Sequence, residues 1–204
     1  MKIALIGATG QVGSRILGEA LERSHQVTAI ARNPASLAPR AGLKALALDV
    51  SEENDRLAAA LAGHDVAIIS VKYSQVDAAP ILEAVKRAGV PRVLVVGGAG
   101  SLQVASGVDL VDTPSFPAAY KGEALAARDF LRLLRQETAI DWTLVSPSAL
   151  LQPGQRTGQF RIGGDQLLVD AKGASHISIE DLALALVDDL ESPRHSRQRF
   201  TVGY

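Results

Sequence analysis

Six apolar runs of strand length, with helix-forming stretches between most of them, leave this chain few architectures: KIALI, QVTAIA, LKALAL, DVAIIS, RVLVVG and DWTLVS. The first five are almost continuously apolar, the pattern of parallel strands covered on both faces. QVGSRILGEALERS, SEENDRLAAALAG, VDAAPILEAVKRAGV and FPAAYKGEALAARDFLRLLRQE are rich in Ala, Leu, Glu and Arg, and Gly or Pro follows several of them closely. The expected fold is α/β: a doubly wound, mainly parallel sheet with helices on both faces. Ligands of such sheets collect at the carboxyl ends of the strands, near the switch in strand order.

After DWTLVSPSAL the pattern changes. PGQRTGQFRIGGDQLLVDAKGASH reads as a small irregular segment with a short strand or two, packed over the open end of the sheet. ISIEDLALALVDDLE reads as a helix with Ser178 as N-cap and Asp181 in a capping-box-like position, and QRFTVGY as a last strand. The 204 residues suit one domain, with 147–204 forming a cover on the substrate side.

Composition removes several function classes. No cysteine is present, so disulfides and thiolate metal sites are excluded. The four histidines lie far apart, and no metal site is expected. A formal charge of -1 provides no field for nucleic acid or anionic membrane. The basic stretch RHSRQR is short and lacks aromatics for stacking bases. The first apolar run is too short for a signal-peptide core, and none reaches membrane-spanning length. A cytoplasmic protein acting on a small molecule, as monomer or homodimer, is expected.

GATGQVG follows the first strand directly and opens the first helix. In that context Gly7 permits the tight turn, Gly10 lets the backbone approach a pyrophosphate, and Gly13 lets helix and strand pack closely. Thr9, Gln11 and Val12 complete the loop, and the helix N-terminus offers unpaired N–H groups to phosphates. The second strand ends in ARNP, placing Arg32 where an acid would select NAD(H). An arginine there can pair with a 2′-phosphate, with Asn33 assisting, which favours NADP(H) over NAD(H). Asp49, followed by Val50, either accepts from the adenine amino group or caps the helix near Ser51.

These motifs, with LDV after the third strand, VVGGAGSL after the fifth, SPSAL after the sixth and DTPSFPAAYKGEALA, resemble the atypical short-chain dehydrogenase/reductases. The resemblance covers essentially the whole chain. It is to the compact Rossmann branch that includes NADH-flavin reductase-like, biliverdin-IXβ-reductase-like and NmrA-like proteins. The best-known catalytic device of that family is a Tyr four residues before a Lys, one helical turn apart. Here Tyr120 directly precedes Lys121, about 100° around a helix. Counting back four from Lys121 gives Pro117, and four beyond Tyr73 stands Asp77. Oxidation of alcohols, which needs a base, therefore does not fit.

Reduction of a flat, electron-poor ring asks less, because orientation provides much of the rate. Ser70, Val71, Lys72 and Tyr73, then Gly97 and Gly98 through Ser101, then Pro147 and Ser148 are expected around the nicotinamide and its acceptor. Ser101 either relays a proton or caps its own turn. Tyr120 heads an apolar stripe with Ala124, Ala127, Leu131 and Leu134, which favours a packed role over a catalytic one. Lys121 beside it can reach a phosphate or ribose. His176 is either a proton donor or a histidine satisfied by backbone. His25 and His64 fall at the opposite edge.

The leading expectation is an NADPH-dependent oxidoreductase passing hydride to a flavin, a quinone or a biliverdin-like tetrapyrrole. A non-catalytic NADP(H)-binding redox sensor of NmrA-like type is the alternative. A sugar-nucleotide epimerase or dehydratase is weaker, since few residues remain after the sixth strand for a substrate domain.

Overall fold

The computed structural model describes residues 1–204. An eight-stranded sheet organises the chain. Its strands are β1 (Lys2–Ile6), β2 (Gln26–Ala31), β3 (Leu43–Ala47), β4 (Val66–Ile69), β5 (Arg92–Val96), β8 (Asp141–Pro147), β10 (Arg161–Gly163) and β12 (Gln198–Gly203). They lie in the order β10-β12-β8-β5-β4-β1-β2-β3, and only β10 runs antiparallel to its neighbour. This is the expected doubly wound α/β sheet. The chain moves outward from β1 through β2 to β3, then returns across β1 to β4. The switch in strand order therefore lies between β1 and β4.

Strand alternation explains the continuous apolar runs. Ala4 and Ile6, Ala67 and Ile69, and Val93 and Val95 face one core; Ile3 and Leu5, Val66 and Ile68, and Leu94 and Val96 face the other. Helices α2 (Asn54–Leu61), α3 (Ala78–Arg87) and α4 (Ala118–Leu134) close the first core. Helices α1 (Gln11–Glu22) and α5 (Ile179–Glu191) pack together over the second. A side chain as fully buried as Ile68 or Leu57 contributes about 2 kcal/mol by its transfer from water. The third run departs from expectation. β3 is the sheet edge and mostly solvent-facing, with only Leu43 and Leu46 packed against the cores.

Two small pairings were not legible in the sequence: a hairpin of β6 (Gln103–Ala105) with β7 (Val108–Asp109), and β9 (Leu150–Gln152) parallel to β11 (His176–Ser178). The expected short strand in FRIGG is β10, which extends the sheet edge instead of covering its open end.

The irregular stretch 153–160 is tied down by carboxylates. Glu180 accepts the Gly154 N–H at 2.8 Å, and Glu19 takes two bonds from Arg156. Asp181, fully buried, accepts from the Thr157 and Gly158 N–H groups, the Thr157 hydroxyl and the Tyr204 hydroxyl. Burial alone would raise the Asp181 carboxyl, but the hydrogen bonds from Thr157, Tyr204 and Gly158 outweigh it and hold it below the ordinary carboxylate range. Ser178 does cap α5, its hydroxyl accepting the Asp181 N–H at 3.0 Å. The Asp181 carboxylate, however, holds this strap instead of returning to Ser178.

Candidate functional site: a dinucleotide groove and an adjoining apolar cleft

A groove opens at the switch between β1 and β4. Gly7 adopts φ +83°, and a Cβ there would lie 2.0 Å from the Ser70 carbonyl oxygen at the end of β4. A Cβ on Gly13 would lie 2.1 Å from the Gly7 carbonyl oxygen. The fold itself demands both glycines. Gly10 differs: its φ is -69°, and a Cβ would meet only the Gly7 oxygen, at 3.3 Å. It faces the groove at the N-terminus of α1. A glycine that the protein's own packing scarcely requires, at a helix N-terminus, fits the close approach of a phosphate.

The groove, about 210 Å³, is lined by Gly7, Thr9, Gly10, Arg32, Asp49, Val50, Ser70, Val71 and Lys72, among others. Arg32 is exposed and has no protein partner, while its charge helps to hold the Asp49 carboxyl down. The larger influence on Asp49 is Ser51, whose hydroxyl and N–H donate to Oδ1 at 2.5 and 3.0 Å. That turn precedes α2, whose N-cap is Glu53, so Asp49 does not cap the helix. Its other oxygen has no protein donor. Asn33 lies outside the groove, its side-chain oxygen accepting the Ala35 N–H at 3.2 Å.

Ser70 and Val71 belong also to a second cavity of about 610 Å³, so the two spaces adjoin. Val12 forms one wall, Gly97, Gly98, Ala99 and Gly100 the turn beyond β5, and Pro147, Ala149, Leu150 and Leu151 the wall after β8. Phe116, Tyr120, Glu123, Ala124 and Ala127 close it from α4 and the loop before it. Gly98 repeats the logic of Gly10, since a Cβ there would meet only Ala127, at an ordinary 3.6 Å. Of the segment 147–204, residues after Leu151 do not line this cleft.

Several sequence expectations are corrected here. Ser101 is buried behind the glycine turn, where its hydroxyl and carbonyl accept from Arg199 at 3.1 and 3.2 Å, and it does not reach the cleft. Burial depresses the Arg199 guanidinium, and its bonds to Asp165 oppose that. His176 is likewise outside; it pairs with Asp170 at 3.6 Å and packs against the Tyr204 ring. Lys121 projects to solvent and lines neither cavity. Tyr120 is not packed but 67% exposed at the cleft mouth, although Ala124, Ala127, Leu131 and Leu134 are buried as the stripe implied. The first turn of α4, residues 118–121, is exposed throughout, so the stripe has no cover there. Gln11 opens α1 and Gly13 is buried against the loop, so of that turn only Val12 reaches the cleft.

Tyr73 and Glu123, the latter passed over by sequence reasoning, both line the cleft. The Tyr73 hydroxyl donates to the Val96 carbonyl at 2.7 Å, and burial pushes its phenol far up, leaving it neutral. Glu123 accepts the Tyr73 and Ser74 N–H groups at 2.9 and 2.8 Å and the Ser74 hydroxyl at 2.6 Å. It lies at i+3 from Tyr120, on the same helical face, which was the available signal.

A sequence model of the family described as NAD(P)H-binding matches residues 7–193, from the first glycine of the loop to beyond α5. The chain belongs to the NAD(P)H-binding family. Solved structures similar to this family member carry different names. A "putative exported protein" from Burkholderia pseudomallei is 49% identical, with both chains wholly covered and a TM-score of 0.90. A "putative epimerase" from Bacteroides thetaiotaomicron is 42% identical over all of this chain and 96% of that one, with a TM-score of 0.94. A "putative NADH-flavin reductase" from Streptococcus pneumoniae is 34% identical over 100% and 99% of the two chains, with a TM-score of 0.84. The oxidoreductase-like Rossmann fold is thus common to all three. No helix is long and apolar enough to cross a membrane.

Proposed function

We propose that this protein is an NADPH-dependent reductase of a flat organic acceptor. The observation that carries the reading is the adjacency of the two cavities. A groove with a glycine loop and two unpaired cations meets, at Ser70 and Val71, a mainly apolar cleft with a glycine turn on its floor. Arg32 and Lys72 would hold the phosphates of the adenosine half, Gly10 would let the pyrophosphate approach α1, and Gly98 leaves room for a ring. When bound, NADPH supplies a hydride, two electrons with one hydrogen; a proton from water completes reduction of a quinone to hydroquinone or of an isoalloxazine to its dihydro form. The chain's own part is to stack and orient the acceptor and to exclude bulk water.

No Tyr and Lys share a helical face in the cleft, which argues against a base-dependent epimerase despite the name of the Bacteroides protein. The name of the Streptococcus protein is in line with the reductase reading. In this reading the partner is a small molecule and the protein works in the cytoplasm. The missing pair also supports a redox sensor, and one experiment separates the two. Purified protein is titrated with NADPH and NADH by calorimetry, then NADPH oxidation is followed with riboflavin, FMN or menadione. Tight NADPH binding with acceptor-dependent oxidation above background supports the reductase. Tight binding with no oxidation by any acceptor turns the reading to the sensor.

A further inference from the structure

Positive charge is sorted between the two cavities. Arg32 and Lys72 line the dinucleotide groove, whereas no Lys, Arg or His lines the adjoining cleft. The single ionisable carboxyl there is Glu123, and its partners are two backbone N–H groups and a hydroxyl. Those dipoles fix the carboxylate in place without neutralising it. The mouth is apolar as well: Tyr120 and Leu150, 67% and 52% exposed, both line it. A phosphate or carboxylate drawn into this space would give up hydration, find no cation and meet the charge of Glu123.

We propose that the cleft selects acceptors that are neutral as well as flat, of the quinone or unphosphorylated isoalloxazine class, and disfavours the same rings carrying anionic groups. This rests on the reductase reading and names its substrate class. Each such acceptor takes up two electrons and two hydrogens in all, one as hydride and one as a proton from water. A single structural feature pulls the other way: the amino end of α4, beginning at Ala118 beside Pro117 at the cleft, presents free N–H groups that attract anions.

Riboflavin and FMN share one ring and differ by a phosphate, so they isolate the effect. Binding of each oxidised flavin to NADP⁺-loaded protein is read by flavin fluorescence. Riboflavin is expected to bind on the order of tenfold more tightly than FMN, with the gap narrowing as salt is raised. Leu150→Lys, at an exposed position and checked for folding by its thermal transition, should shrink or reverse the preference. FMN binding as tightly as riboflavin, or a preference unchanged in Leu150→Lys, overturns the proposal. FMN preferred, with turnover, removes the discrimination alone and assigns the phosphate to the end of α4. If NADPH binds but no acceptor binds or is reduced, the reductase reading falls and this proposal with it.

Discussion

Gly10 and Gly13 are three residues apart in one loop, yet the structure gives them opposite responses to the same methyl group. In Gly13→Ala the new Cβ would sit 2.1 Å from the Gly7 oxygen and 3.2 Å from the Ala8 Cα. Both are backbone atoms at the end of a central strand, and the oxygen is roughly 1 Å too close for any ordinary contact. The loop must move off β1, at a cost of about 3 kcal/mol or more. In Gly10→Ala the Cβ meets one oxygen at 3.3 Å, and the backbone is already extended at φ -69°. The losses there are a poorer N-cap, up to about 1 kcal/mol, partly offset by the smaller entropy of the unfolded chain. The methyl instead occupies the groove where a pyrophosphate would approach. NADPH affinity should fall about tenfold to a hundredfold, equivalent to roughly 1.4 to 2.8 kcal/mol. Thermal unfolding and calorimetric NADPH titration, run on both variants, read the two effects separately. Gly10→Ala that binds NADPH like the parent protein would refute the phosphate-approach argument. Gly13→Ala as stable as the parent would refute the packing argument.

Arg32→Ala should weaken NADPH binding about tenfold to a hundredfold and leave NADH binding nearly unchanged, by titration of each cofactor; equal losses would remove the 2′-phosphate role. Tyr120→Ala should raise the acceptor KM without moving the thermal midpoint, because the ring is exposed, whereas Ser101→Ala should lower stability by about 1 kcal/mol through the lost Arg199 bond and leave turnover intact. Glu19 is held low first by its bond from Arg156; Glu180 and Asp181 are raised by burial but brought below their ordinary range by their hydrogen bonds. Folded values below unfolded ones mean stabilisation that is complete at neutral pH, begins to be lost near about pH 5 as the unfolded chain takes up protons, and is gone once pH has fallen through the depressed values. Hydrogen exchange should therefore report loosening of residues 153–158 under acid before the central strands; simultaneous release would show that the carboxylates do not hold the strap independently.

The helices, the strands of the main sheet and the glycine loop were legible in the sequence because each is written in local terms: apolar continuity, helical composition, and a loop whose glycines sit at the end of a strand. Gly7, Thr9, Gly10, Arg32, Asp49 and Val50 accordingly come together in one groove. Long-range packing wrote the rest. No local pattern could show that Arg199 reaches across 98 positions to take Ser101 out of the cleft, or that Asp170 and Tyr204 surround His176. Nor could the stripe on α4 show that its first turn is exposed and leaves Tyr120 in solvent. The sequence by itself determined the layered α/β fold and a place for a dinucleotide, since backbone geometry and alternating burial act over a few residues. Only the tertiary structure decided that the adjoining cleft gathers Glu123 and no cation, because which charges share a cavity depends on how distant segments pack.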